Sequence, residues 1–164
     1  MKEVSPLARL GIVLLLAAAF GGCSNGAPAA FALNSASVDS PYACPSTANN
    51  SPYNVHATIE VRNGTSSTVA IKSVAARMTL TATKGTWLQK VGDRYEAAAV
   101  KFTPEAVPAA SSSSLQVAIP SACTSGKSAK VDSSYGDYSV ELTVVASSGT
   151  YKIASANHHR ILAG

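Results

Sequence analysis

Charge is scarce in this chain, and so are the residues from which most active sites are built. Only 13% of its 164 residues are charged, and the net charge is +4 with scattered lysines. That excess is too thin for a nucleic-acid footprint. The apolar run Leu10–Phe20 is eleven residues long, short of the ~20 needed to span a bilayer. There is no Cys-x-x-Cys, His-x-x-x-His or methionine-rich stripe to handle zinc or copper. Gly-x-Ser-x-Gly and a glycine-rich phosphate loop are also missing. After residue 23 no amphipathic helical pattern appears. Ser, Thr, Ala and Val abound instead, and the Thr and Val content suits β-structure.

What is present begins with a leader. Lys2 and Arg9, offset by Glu3, precede the apolar run, and Gly21-Gly22 stand directly before Cys23. This order resembles the lipobox signal of bacterial prolipoproteins, with Phe20 where that family usually carries an aliphatic residue. The resemblance covers residues 1–23. It implies cleavage before Cys23, a diacylglyceryl group on its sulfur and anchoring at the extracytoplasmic face of a membrane. Two or three acyl chains at ~0.8 kcal/mol per CH₂ suffice for stable anchoring. Ser24, not being aspartate, permits the outer membrane where the source has one. An ordinary secretory signal cut near Ala27–Ala30 is the other reading of the same residues. Loss of residues 1–22 removes Lys2, Arg9 and Glu3, so the net charge falls by one and a single domain's worth of chain remains.

With Cys23 assigned to lipid, Cys44 and Cys123 are left in an oxidising compartment, where a disulfide is expected. Both lie in loops or at strand ends, so the bond is expected to staple the periphery of the domain. Residues 23–32, small and proline-containing, read as a flexible tether. The domain then occupies 33–164.

Leu33–Val38 reads as a first strand. Val55, Ala57, Ile59 and Val61 alternate with His56, Thr58, Glu60 and Arg62, the period of a half-buried strand, and Asn63-Gly64 ends it. Thr68–Thr83 forms a second strand region whose alternation slips at Lys72–Ser73, predicting a bulge or a break. Thr86–Val91, Gly92-Asp93 and Arg94-Tyr95 read as a hairpin, and Ala97–Val100 as a possible helical turn by alanine propensity. Pro104, Pro108 and Ser111–Ser114 mark an irregular crossing. Leu115, Val117 and Ile119 form a strand that Pro120 should stop. Tyr138, Val140, Leu142 and Val144 alternate most clearly, with a turn at Ser147–Gly149 and a return through Tyr151 and Ile153.

These segments predict an all-β, antiparallel sandwich of about seven or eight strands behind the signal helix. Tyr135-Gly-Asp-Tyr138-Ser-Val140 resembles the tyrosine corner of immunoglobulin-like domains. The resemblance implies a structural hydrogen bond from the Tyr138 hydroxyl to upstream backbone, with Val140 where antibody domains hold a cysteine. It supports an immunoglobulin-like or fibronectin-like sandwich.

Candidate chemistry is sparse. His158 and His159 are adjacent, so on a strand they point to opposite faces; His56 is a third metal-capable side chain, read as facing solvent. Asp39, Asp93, Asp132 and Asp137 sit in turn-like contexts, where Asp bonds nearby backbone. Glu60 and Glu141 would serve a glycosidase only if close in space. Trp87 and Tyr95 flank the hairpin turn, as an exposed stacking pair or as a cover for the sandwich. Asn63-Gly64-Thr65 matches a glycosylation sequon. No catalytic residue, metal site or cofactor is assigned. The sequence therefore predicts a non-enzymatic, lipid-anchored binding or structural module of the cell envelope, its partners the membrane through Cys23 and an envelope protein or glycan, with no nucleic acid. A ligand or metal carrier using the histidines is the alternative, and a hydrolase the third reading.

Overall fold

A computed structural model describes residues 30–39, 41–97, 99–123 and 134–163. The leader, Cys23 and Asp132 lie outside these residues. The described chain is all β: β1 Phe31–Val38, β2 Tyr42–Ala43, β3 Ser51–Asn63, β4 Val69–Lys84, β5 Arg94–Glu96, β6 Lys101–Thr103, β7 Ala106–Val107, β8 Ser111–Cys123, β9 Tyr135–Ala146, β10 Gly149–Ala154 and β11 His159–Leu162. Seven of these carry the fold, and β2, β5, β6 and β7 are pieces of two or three residues.

One sheet runs β1-β3-β8-β6. The other runs β2-β11-β9-β4-β5, with β10 also on β9 and β7 on β4. Strands one, three, eight and six thus take the A-B-E-D positions, and four, nine and ten/eleven the C-F-G positions, of a constant-type immunoglobulin sandwich. The last position is split: β10 pairs with Glu141–Ala146 and β11 with Tyr135–Tyr138, on the same edge of β9. The strand pairings are antiparallel except β2 with β11, which is parallel.

The two-residue period builds the core. Val55, Ala57, Ile59 and Val61 on β3 and Val140, Leu142 and Val144 on β9 are each at most 2% exposed, as are Leu115 and Ile119 beside β3 and Met78 and Leu80 beside β9. The register slip foreseen at Lys72–Ser73 is a bulge between Ile71 and Ser73 within one long strand.

Several local expectations give way. β1 starts at Phe31, inside the expected tether, because Phe31 packs its ring 5.0 Å from that of Tyr151. Ser111–Ser114 belong to β8, paired with Glu60–Asn63 of β3, so the crossing is confined to β6 and β7. Nor does Pro120 stop β8. Its carbonyl accepts from Tyr95 Oη at 2.9 Å, so its missing N–H lies on the same outer side and costs the β3 ladder nothing. Ala97, Ala99 and Val100 are not helical. Arg94–Glu96 pairs with Arg77–Thr79 of β4, not with Thr86–Val91; Trp87 turns inward and takes that segment off the ladder.

The sandwich has two distinct ends. Phe31, Asn63 and Ser111 stand together at the end where the chain enters, and Cys123 pairs with Ser51 at the far end, as Tyr135 does with Lys84. Along the exposed edge of β1, Asn157 acts as a false strand. Its Oδ1 accepts the Val38 N–H at 2.9 Å and its Nδ2 donates to the Val38 carbonyl at 2.8 Å.

Candidate functional site

The disulfide joins Cys44, just past β2, to Cys123 at the end of β8, with the Cα atoms 5.8 Å apart. Both cysteines are buried. The bond is therefore more than peripheral: it ties the residue that follows β2 in one sheet to the last residue of β8 in the other and closes the far end of the core.

Asp39, immediately after β1, gathers the polar side chains nearby. The His56 backbone N–H donates to its Oδ2 at 3.1 Å, and His56 Nδ1 lies 3.4 Å from the same oxygen. His159 Nδ1 lies 3.0 Å from Oδ1; both atoms are buried and neither has another partner among the described residues. Tyr53 Oη is 3.4 Å from His159 Nε2, and Tyr53 stacks on Tyr42 with centroids 4.0 Å apart. His159 is fully buried while His56 and His158 are exposed, so the adjacent histidines do point to opposite faces. Asp39 meets His56 and His159 through opposite oxygens, and no described group of three His, Cys, Asp or Glu is placed to hold a metal ion.

Burial holds the His159 imidazole below its ordinary 6.5, against the pull of the Asp39 carboxylate. Burial likewise pushes Tyr53 up to about 12, helped by Tyr138, Asp39 and Tyr42 and opposed by a hydrogen bond with Ser121. The Asp–His–Tyr order looks like a proton relay, but a nucleophile needs a lowered pKa and a base within reach of substrate. Here the tyrosine is held protonated and the histidine is sealed. Chemically this group works as a bracket between β1, β3 and β11.

A second cluster lies under the β4–β5 connection. Trp87 Nε1 donates to Tyr138 Oη at 3.3 Å and to Gln89 Oε1 at 3.3 Å, and Tyr138 Oη donates to Gln89 Oε1. Burial raises the Tyr138 hydroxyl, against the Trp87 hydrogen bond. Among the described residues its partners are these two side chains and not upstream backbone, so the expected corner bond is replaced by one to the loop. The indole lies over Gly136, where a Cβ would come within 2.6 Å of the ring. Of the two aromatic readings, the cover holds for Trp87, while Tyr95 binds across to Pro120.

The remaining candidates separate. Glu60 and Glu141 sit on the outer faces of opposite sheets with the core between them. Glu60 accepts from Ser114 Oγ at 2.7 Å, and Glu141 lies 3.6 Å from Arg77 and 3.9 Å from Lys152. Asp137 is chelated by Arg160 at 2.7 and 2.8 Å, a hydrogen bond that lowers its carboxyl below the ordinary value. Asn63 of the sequon is fully buried, its amide spent on the Ser67, Val107 and Pro108 carbonyls. The Asp39–His159 pair was invisible in sequence because its members stand 120 positions apart.

No protein-family model matches this chain, and none of the curated proteins compared with it does. Among solved structures it is similar to the ASH/PapD-like domain of human CEP192 (PapD-like domain 7), at 10% identity and a TM-score of 0.31, over 100% of this chain and 97% of that one. The strand order, not this superposition, defines the fold.

Proposed function

We propose that this chain is a non-enzymatic binding or structural module of the bacterial cell envelope, held to the extracytoplasmic face of a membrane by lipid on Cys23. The Cys44–Cys123 disulfide carries the reading, because such bonds persist in oxidising, exported compartments and this pairing leaves Cys23 as the odd cysteine. The inward-turned histidine–carboxylate group supports a role without catalysis, leaving the sheet faces and end loops as working surfaces. Mass spectrometry of the N-terminal peptide from the membrane fraction tests the anchor. A diacylglyceryl-modified Cys23 at the mature start is expected; a start elsewhere with a free Cys23 thiol refutes it. Turnover of any ester, amide or glycoside substrate that His159→Gln abolishes would refute the non-enzymatic part.

A further inference from the structure

The turn that carries Trp87 leaves aliphatic side chains in solvent at its tip. Trp87 and Gln89 fold inward onto Tyr138, and Asp93 Oδ2 accepts the Lys90 N–H at 2.8 Å. The stem is closed by Gly92 N–H to the Leu80 carbonyl at 2.8 Å and Leu80 N–H to the Asp93 carbonyl at 3.0 Å. Aliphatic side chains are left outside: Leu88 is 70% and Val91 60% exposed, the highest values among the exposed large apolar side chains described. Gln89 and Asp93 are exposed as well, and their bonds to Tyr138 Oη and the Lys90 N–H hold the turn in the shape that leaves these aliphatics at its tip.

Positive charge predominates around this tip. Lys84, Lys90 and Arg94 are exposed and make no ion pair among the described residues. Of the neighbouring carboxylates, Glu96 is paired with Arg77, while Asp93 accepts the Lys90 N–H and stays exposed and charged. Three cations thus stand against one carboxylate without an ion-pair partner among the described residues. Two aliphatics on a convex turn offer far less than the ~800 Å² per partner of a stable protein interface. They do fit a medium that is apolar at shallow depth and negative at its surface, which is the interfacial zone of an anionic membrane.

We propose that the Leu88–Val91 tip inserts into the interface of an anionic lipid bilayer. This goes beyond the envelope reading and does not require lipid on Cys23. Trp87 is the single tryptophan of the chain, so its emission is a built-in reporter of the turn. Full-length protein is mixed with vesicles of phosphatidylcholine, or of phosphatidylcholine with phosphatidylglycerol, both brominated near the headgroups. Trp87 quenching is expected in the anionic vesicles, several-fold weaker in the zwitterionic ones and reversed by salt. Leu88→Ser with Val91→Ser should abolish it at an unchanged thermal midpoint, and Lys90→Glu should weaken it. Equal quenching in both vesicle types, or none in either, overturns the proposal. Flotation with an unquenched Trp87 keeps the anchor and overturns the tip; quenching that persists in Cys23→Ser keeps the tip without the anchor. An emission shift produced only by a lipid-free envelope protein fraction would assign the tip to a protein and likewise overturn it.

Discussion

Replacing Asn63 by Asp changes one group, and near neutral pH it should cost at least as much as replacing it by Ala. In the native protein Asn63 Nδ2 donates to the carbonyls of Ser67 at 2.8 Å, Val107 at 3.0 Å and Pro108 at 3.0 Å. Its Oδ1 accepts from Thr65 N–H at 3.0 Å and Thr65 Oγ1 at 2.7 Å. The side chain thus pins the β3–β4 turn to the crossing after β7. Asn63→Ala deletes these bonds and strands a buried carbonyl, a loss of about 2–4 kcal/mol. Asn63→Asp keeps the shape but aims a carboxylate at three carbonyl oxygens, so the folded state must hold it protonated. With its folded pKa raised above the ordinary ~3.9, the folded state binds more protons than the unfolded, and stability falls as pH rises through the folded value. Urea midpoints for wild type, Asn63→Ala and Asn63→Asp at about pH 5 and pH 7 read this directly. Asn63→Asp should be rescued by acid and Asn63→Ala should not. Equal stability of the two variants at both pH values would refute the role given to the Asn63 amide.

Other outcomes follow from the same geometry. Leu142→Ala should cost ~2–5 kcal/mol as a core truncation, and Glu141→Ala under ~0.5 kcal/mol as a surface change; equal losses in denaturation midpoints would sink the half-buried reading of β9. Gly136→Ala should drive a methyl into the Trp87 indole, costing ~1–3 kcal/mol and shifting tryptophan emission. His159 has a folded pKa below its ordinary 6.5, so the unfolded state takes up more protons as pH falls through that value and wild-type stability should decline there; His159→Gln should flatten that part of a melting-temperature profile. Reducing the disulfide, whose cysteines are 79 residues apart, should cost roughly 4–5 kcal/mol by loop entropy, seen as a lower urea midpoint under reductant.

Much of the architecture was legible because its cause is local. β3 and β9 show the two-residue period since each has one face on the core and one on solvent. The bulge at Lys72 was legible for the same reason: the period cannot slip without an extra residue. The disulfide followed from counting cysteines once Cys23 was set aside. What sequence hid depends on partners far away in the chain. Tyr138 chose Gln89 and Trp87, 49 and 51 positions away, over nearby backbone. His159 carries no mark of burial, since nothing near it in sequence announces Asp39. Leu88 and Val91 read as members of a hairpin strand, and only the inward folding of Trp87 turns them to solvent.

Asn157 sets an order of completion. The N–H and C=O of Val38 stay open until the amide 119 residues later arrives. Ribosomes make Val38 119 residues ahead of this cap, so a growing chain carries an unsealed ladder while everything between them is synthesised. Open ladders are where neighbouring chains join. The vulnerable form of this protein is thus the unfinished one, and an arrest shortly before Asn157 would leave a nearly complete sandwich able to stick to its own kind.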